Sequence, residues 1–199
     1  MKAWHFLPPD GKVAHPGSPH AGTVVTVGQV LTVEPPIVPY QHGLHASVKL
    51  IDALEYASGP LLCLVELSGE IVPHGGDKHV ASVRRVLAMA NVTRTLHEFA
   101  CEVAEETLLN ERAQGREPDA RSWAALETKR RWLRGEAWAA AMDAARHASW
   151  VAANAAARDA QNERLTALVL ALPEFADAAL LPDESEVCAL RETEKQRGY

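Results

Sequence analysis

Hydrophobic positions follow two different rhythms along this chain. Up to about residue 92 they come in short runs, cut by Pro and Gly; beyond it they recur three and four apart. Residues 3 to 7 read as a short strand that Pro8-Pro9 ends, because two prolines remove two ladder donors. Residues 10 to 22 hold the glycines and prolines of a surface loop. Thr23 to Val33 is β-branched and roughly alternating, which predicts a strand bent or broken at Gly28.

After Ser47 the period changes. Leu50, Ile51, Leu54 and Ala57 predict a helix of about three turns, with Ser47 as N-cap and Gly59-Pro60 as stop. Leu61 to Leu67 is a sharply bounded apolar run, as in a buried strand. Ser68-Gly69-Glu70 reads as a turn, Ile71-Val72 as a short strand and Gly75-Gly76-Asp77 as another turn. Residues 80 to 90 fit a helix or a strand, and their place after a string of strands favours a closing strand.

Leu96, Phe99, Ala100, Val103 and Leu108 form one helical face, and Thr95-Leu96-His97-Glu98 has capping-box spacing. Gln114 to Pro118 is a break. From Asp119 to Leu172 only Gly135 interrupts a helical composition. Unbroken, that stretch would span roughly 75–80 Å, against a radius of gyration of about 16 Å for a compact domain of this size. The helix therefore bends near Gly135 or projects as an arm. Trp132, Trp150 and Leu168 share a face at a spacing of five turns, with Ala137, Ala140 and Ala144 between them. Such a stripe suits packing on the 93–112 helix, on itself as a hairpin, or on a second subunit.

The fold class expected is α+β: a small, mostly antiparallel sheet with one short helix over residues 1–92. A long alanine-rich helical region over 93–172 and an acidic, partly disordered tail over 173–199 complete the chain. Composition agrees with the division. Seven of nine histidines and nine of twelve prolines precede residue 80, whereas fifteen of the forty residues from 121 to 160 are alanine.

A net charge of -6 argues against nucleic acid as a partner, since phosphate binding draws on clustered Lys and Arg. Cys63, Cys101 and Cys188 are odd in number and widely spaced, as reduced thiols are. With no signal-type h-region and no run of membrane-spanning length, the expected place is the cytoplasm, that of the host if the chain is phage-encoded.

The candidate chemistry centres on Tyr40-Gln41-His42-Gly43-Leu44-His45-Ala46-Ser47. His42 and His45 have H-x-x-H spacing, but on an extended segment residues three apart face opposite ways, so no metal is assigned. His45 lies just before a predicted helix start, where free N–H groups attract anions. The simpler reading makes it a hydrogen-bonded structural residue beneath that helix. Asp77 and Lys78 belong first to a turn, and join a cleft with His45 in a functional reading. Arg84 and Arg85 suit a phosphate or carboxylate, or else a solvated strand face. Lys129 to Arg134 is a basic cluster wrapped over more than one helical face. No Walker loop, GxGxxG or G-x-S-x-G occurs, and the sequence names no cofactor.

The blocks G-L-H-A-S (43–47), D-A-L-E-Y-A-S-G-P (52–60), V-E-L-S-G-E-I-V (65–72), D-K (77–78) and R-R-V-L (84–87) resemble an uncharacterised family of bacteriophage and actinobacterial proteins. The alanine-rich stretch ending in Gln161 to Ala167 is similar to that family's C-terminal part. Tyr40 stands where the family often has cysteine, and Ala88 where it often has tryptophan. The order of strand, short helix and strand around His45 is also similar to the ADP-ribosyltransferase and RNA 2′-phosphotransferase fold. That likeness implies a nucleotide-binding enzyme in which His45 and Ser47 face the ligand and Arg84 or Arg85 meets a phosphate. The leading expectation is instead a non-catalytic phage-type accessory protein. It would bind a host protein or a small ligand, with Gly43, His45, Ser47, Asp77, Lys78, Arg84 and Arg85 as candidate ligand residues. The helical region would serve self-association or partner contact, with no membrane involved.

Overall fold

The computed structural model describes residues 1–15, 18–136 and 155–180. They fall into two compact units. One is Met1–Val92 joined by the chain from Val169; the other is Thr93–Leu168.

The first unit is built on an antiparallel sheet. Strand β1 (Lys2–Leu7) pairs with β4 (Leu61–His74), and β4 pairs with β5 (Lys78–Asn91). The far edge of β5 takes two short strands in succession. β2 (Val30–Thr32) lies opposite Arg85 to Val83, and β3 (Leu44–Ala46) lies opposite Ala81 to His79. The sheet then curls on itself. Just past β3, Ser47 exchanges two backbone hydrogen bonds with Trp4 of β1, at 2.8 and 3.0 Å.

Alternation along the strands gives the sheet two apolar faces. Ala3, Leu7, Cys63, Val65, Leu67 and Val86 pack with Leu31, Leu44 and Ala46, under Val13, Val25 and Ile37 of the loops. By register, Trp4, Leu64 and Ala88 turn to the other side. That side receives a helix from the end of the described chain, α5 (Pro173–Leu180), whose fully buried Phe175 meets Trp4 edge to face at 5.7 Å. Lys2 fastens the same helix by donating from Nζ to the Ala179 carbonyl at 2.7 Å.

Residues 80–90 lie within a strand, as their place after a string of strands favours. Several other local expectations change, and 61–74 form one strand instead of two. It passes through an irregularity between Ser68 and Ile71, where Gly69 has φ +74° and its backbone sits against Ser82 Oγ. From Thr23 to Val33 only β2 is regular, because Gly28 turns the chain at φ +86°. Helix α1 (Leu50–Glu55) is shorter than predicted and has Lys49, not Ser47, at its N-cap. The reason is that the backbone of Ser47 is already spent on Trp4. The segment 173–180, expected within a tail, is a packed helix.

In the second unit α2 (Thr93–Ala113) and α3 (Ala120–Leu133) run antiparallel. His97 meets Trp132 edge to face at 4.9 Å, Glu105 takes both forks of Arg130 at 3.0 and 2.5 Å, and Arg112 lies 5.0 Å over the Trp123 ring. Asp119 caps α3 by accepting from the Arg121 N–H at 2.8 Å. The helix stops at Leu133, and Gly135, at φ +77°, takes the left-handed turn that ends it. Helix α4 (Ala155–Leu170) follows later, with Arg164 paired to Glu106 at 3.0 Å. The expected stripe at Ala137, Ala140, Ala144 and Trp150, and the acidic tail over 181–199, lie outside the described residues.

Candidate functional site

The G-L-H-A-S passage becomes β3 and its flanks. Gly43 has φ +143°, and a Cβ there would stand 2.3 Å from Val80 Cγ1, so only glycine brings the chain this close to β5. Leu44 and Ala46 then enter the core, while His45 between them is only partly buried.

Beside β3 lies a cavity of about 350 Å³, near the lower end of the roughly 300–1,000 Å³ usual for small-molecule sites. It is lined by β1, β3, the loop through Val13 and His15, and the end of α1, with Tyr40, Tyr56, Lys78 and Arg84. Much of that lining is apolar, including Leu7, Val13 and Leu44. The ionisable lining is one-sided: three histidines, one lysine and one arginine, with two tyrosines and, among the described residues, no carboxylate.

Arg84 is the least usual member. It is 3% exposed and reaches the cavity from β5, donating from Nη1 to the His45 carbonyl at 2.9 Å. Its Nε is buried with no hydrogen-bond partner, and no ion pair holds it among the described residues. Burial pulls its pKa down to about 10, which still leaves it charged at neutral pH.

Lys78 is 5% exposed, its ammonium held 3.9 Å over the Tyr56 ring and 4.4 Å over that of Tyr40. Burial works to lower its pKa, but the phenols of Tyr40 and Tyr56 outweigh that and raise it, so the lysine stays an ammonium. Tyr56 donates to Asp77 Oδ2 at 2.5 Å, and that carboxylate raises the phenol's pKa.

His45 Nε2 accepts the Tyr40 N–H at 3.3 Å, which leaves Nδ1 to carry the proton. Tyr40 reaches this position at φ +66°, a left-handed conformation disfavoured for a tyrosine. Burial first, then the charge of Lys78, lowers the His45 pKa to about 4, so the ring is neutral at physiological pH. His5 is likewise held well below its usual value, by burial and then by Arg84.

Of the residues singled out from the sequence, Gly43, His45, Ser47, Lys78 and Arg84 line this cavity. Asp77 sits one bond away through Tyr56, and Arg85 is exposed on the sheet opposite Glu66. His42 turns from His45 to the Glu34 carbonyl, at 2.6 Å. No group of three potential metal ligands occurs among the described residues. Sequence reasoning missed Tyr56, His5 and His15. Tyr56 alone carried a signal, the tyrosine of the D-A-L-E-Y block; the others arrive by tertiary approach.

A broader depression of about 490 Å³ beside Pro8 and Pro9 is flatter, and its charges, Asp10 and Lys12, satisfy each other at 3.4 Å. No helix among the described residues is long and apolar enough to cross a membrane. Compared with protein-family models, curated proteins and solved structures, the chain matches none.

Proposed function

We propose that this protein is a non-catalytic binding module that takes a small organic ligand into the cavity beside β3, within the phage-type family its blocks resemble. The observation that carries the reading is the convergence of His45, Lys78 and Arg84 on one partly apolar cavity. Binding of a host protein or a second copy through the helical region is the other arm of the sequence expectation. The concentration of charge at the cavity favours the small-ligand arm.

The protonation states favour binding over acid–base chemistry. A general base works best with a pKa near the working pH. His45 titrates near 4, Lys78 is held charged, and the phenol of Tyr56 is held protonated. The Cys63 thiol is pushed up to about 11 by burial and does not line the cavity. These groups recognise; they are not poised to transfer a proton.

A thermal-shift screen of metabolites against the full chain tests the reading. A ligand at a hundredfold excess over its Kd stabilises by about 2.7 kcal/mol, or several degrees in Tm. Ala14 is exposed and lines the cavity, so Ala14→Trp should fill it without entering the core. The shift should vanish in that variant. Hits that shift Ala14→Trp as much as wild type, or a screen without hits, sink the proposal.

A further inference from the structure

The charge of Arg84 is not explained by the fold that surrounds it. Burying a cation without a counter-charge costs several kcal/mol, and proteins ordinarily pair such a group or replace it. The bond from Nη1 to the His45 carbonyl does not itself require a cation, since a neutral donor can also satisfy a carbonyl. That bond fixes the plane of the guanidinium and leaves Nε unpartnered, in a residue that lines the cavity. The rest of the cavity lacks what would neutralise it. Lys78 adds a second cation, held by two tyrosine rings, and no carboxylate lines the space among the described residues. Neutral His45 contributes a donor at Nδ1, because Nε2 is already accepting from Tyr40.

We propose that the ligand of this cavity carries an oxyanion, a carboxylate or a phosphate, which pairs with the Arg84 guanidinium. This rests on the small-ligand reading above and specifies the chemistry of the ligand's polar end. A guanidinium recognises either oxyanion through charge-assisted hydrogen bonds. Lys78 supplies the wider field, and Leu7, Val13 and Leu44 accommodate an apolar body attached to the anion. Arg84 on this account is a binding residue that the fold keeps at a cost to its own stability.

The test uses the full chain with four probes at neutral pH: benzoate, phenyl phosphate, inorganic phosphate and benzamide, the last an uncharged near-isostere of benzoate. Isothermal titration should show benzoate or phenyl phosphate binding at least about tenfold more tightly than benzamide. The ranking of benzoate against the two phosphates tells carboxylate from phosphate. Arg84→Met should lose at least about tenfold in that affinity while its circular dichroism stays native and its ligand-free Tm is unchanged or higher. If that variant does not fold, Arg84→Lys takes its place; it keeps the charge without the fork and should weaken the anions while leaving benzamide unaffected.

Benzamide binding as tightly as benzoate overturns the oxyanion and leaves the binding module standing. Undiminished anion binding by Arg84→Met, including inorganic phosphate, marks an adventitious ion and overturns it as well. Failure of all four probes removes the oxyanion, whereas the module itself stands or falls on the metabolite screen and the Ala14→Trp control.

Discussion

At the scale of single residues, the site is defined by groups whose titration the fold has displaced. His45 has a pKa of about 4 when folded against 6.5 in the unfolded chain, and His5 is displaced in the same direction. Between those two values the unfolded chain binds the extra proton and the folded chain does not. By linkage, stability is then full above about pH 6.5 and falls as the pH drops toward 4. The ring is only partly buried, so solvent screening holds the His45 share to about 1–2 kcal/mol. Urea melts between pH 7 and 5 should show this slope in the wild type, and His45→Gln should flatten it. Equal slopes in the two proteins would mean that His45 is not held neutral by the fold. The restriction to pH 5 and above keeps most carboxylate titration out of the comparison.

At the scale of elements, helix α5 shows how a short segment can cover part of a sheet face. Phe175 is fully buried against Trp4, and Ala178 follows it one turn later. Phe175→Ala should therefore cost about 3–5 kcal/mol, as truncating a buried aromatic does, while Asp177→Asn on the exposed side should change stability by no more than about 0.5 kcal/mol. Denaturant midpoints at constant m-value decide it; similar small effects from both would show that the helix does not cover the sheet.

The same helix shows where sequence reading loses force. The acidic residues after Pro173 outweighed a two-residue apolar spacing, Phe175 and Ala178, that is too short to register as a period. The β4–β5 hairpin was legible, because an apolar run, a Gly-Gly-Asp turn and a second run are all local signals. Ser47 was misassigned as a cap because its backbone partner, Trp4, is 43 positions away. Candidate site residues behaved in the same manner. Gly43, His45, Lys78 and Arg84 stood out by type and spacing, whereas the contact of Tyr56 with Lys78 and the approach of His5 to Arg84 depend on strands that meet only in the folded chain.

At the scale of the whole molecule, the order of the chain and the order of its compact units differ. The sheet-bearing unit is left at Val92 and resumed at Val169, after the helical unit has been completed. A boundary drawn from composition alone, at residue 92, would isolate β1 to β5 without α5. Such a fragment uncovers the face that bears Trp4, Leu64 and Ala88, and large exposed apolar patches drive association. We therefore expect residues 1–92 alone to be aggregated or poorly folded. A chain in which a long flexible Gly/Ser linker replaces residues 93–168 should stay soluble, with a cooperative melt and the response to cavity ligands intact. Size-exclusion profiles and thermal melts of the two proteins provide the comparison. A monomeric, cooperatively melting 1–92 fragment would show that α5 is dispensable to the sheet. Failure of the linked form alone would place part of that unit's stability in Thr93–Leu168. With the cavity lined, among the described residues, by positions 4 to 84, ligand binding should follow the fate of the sheet in both proteins and not the presence of the helical unit.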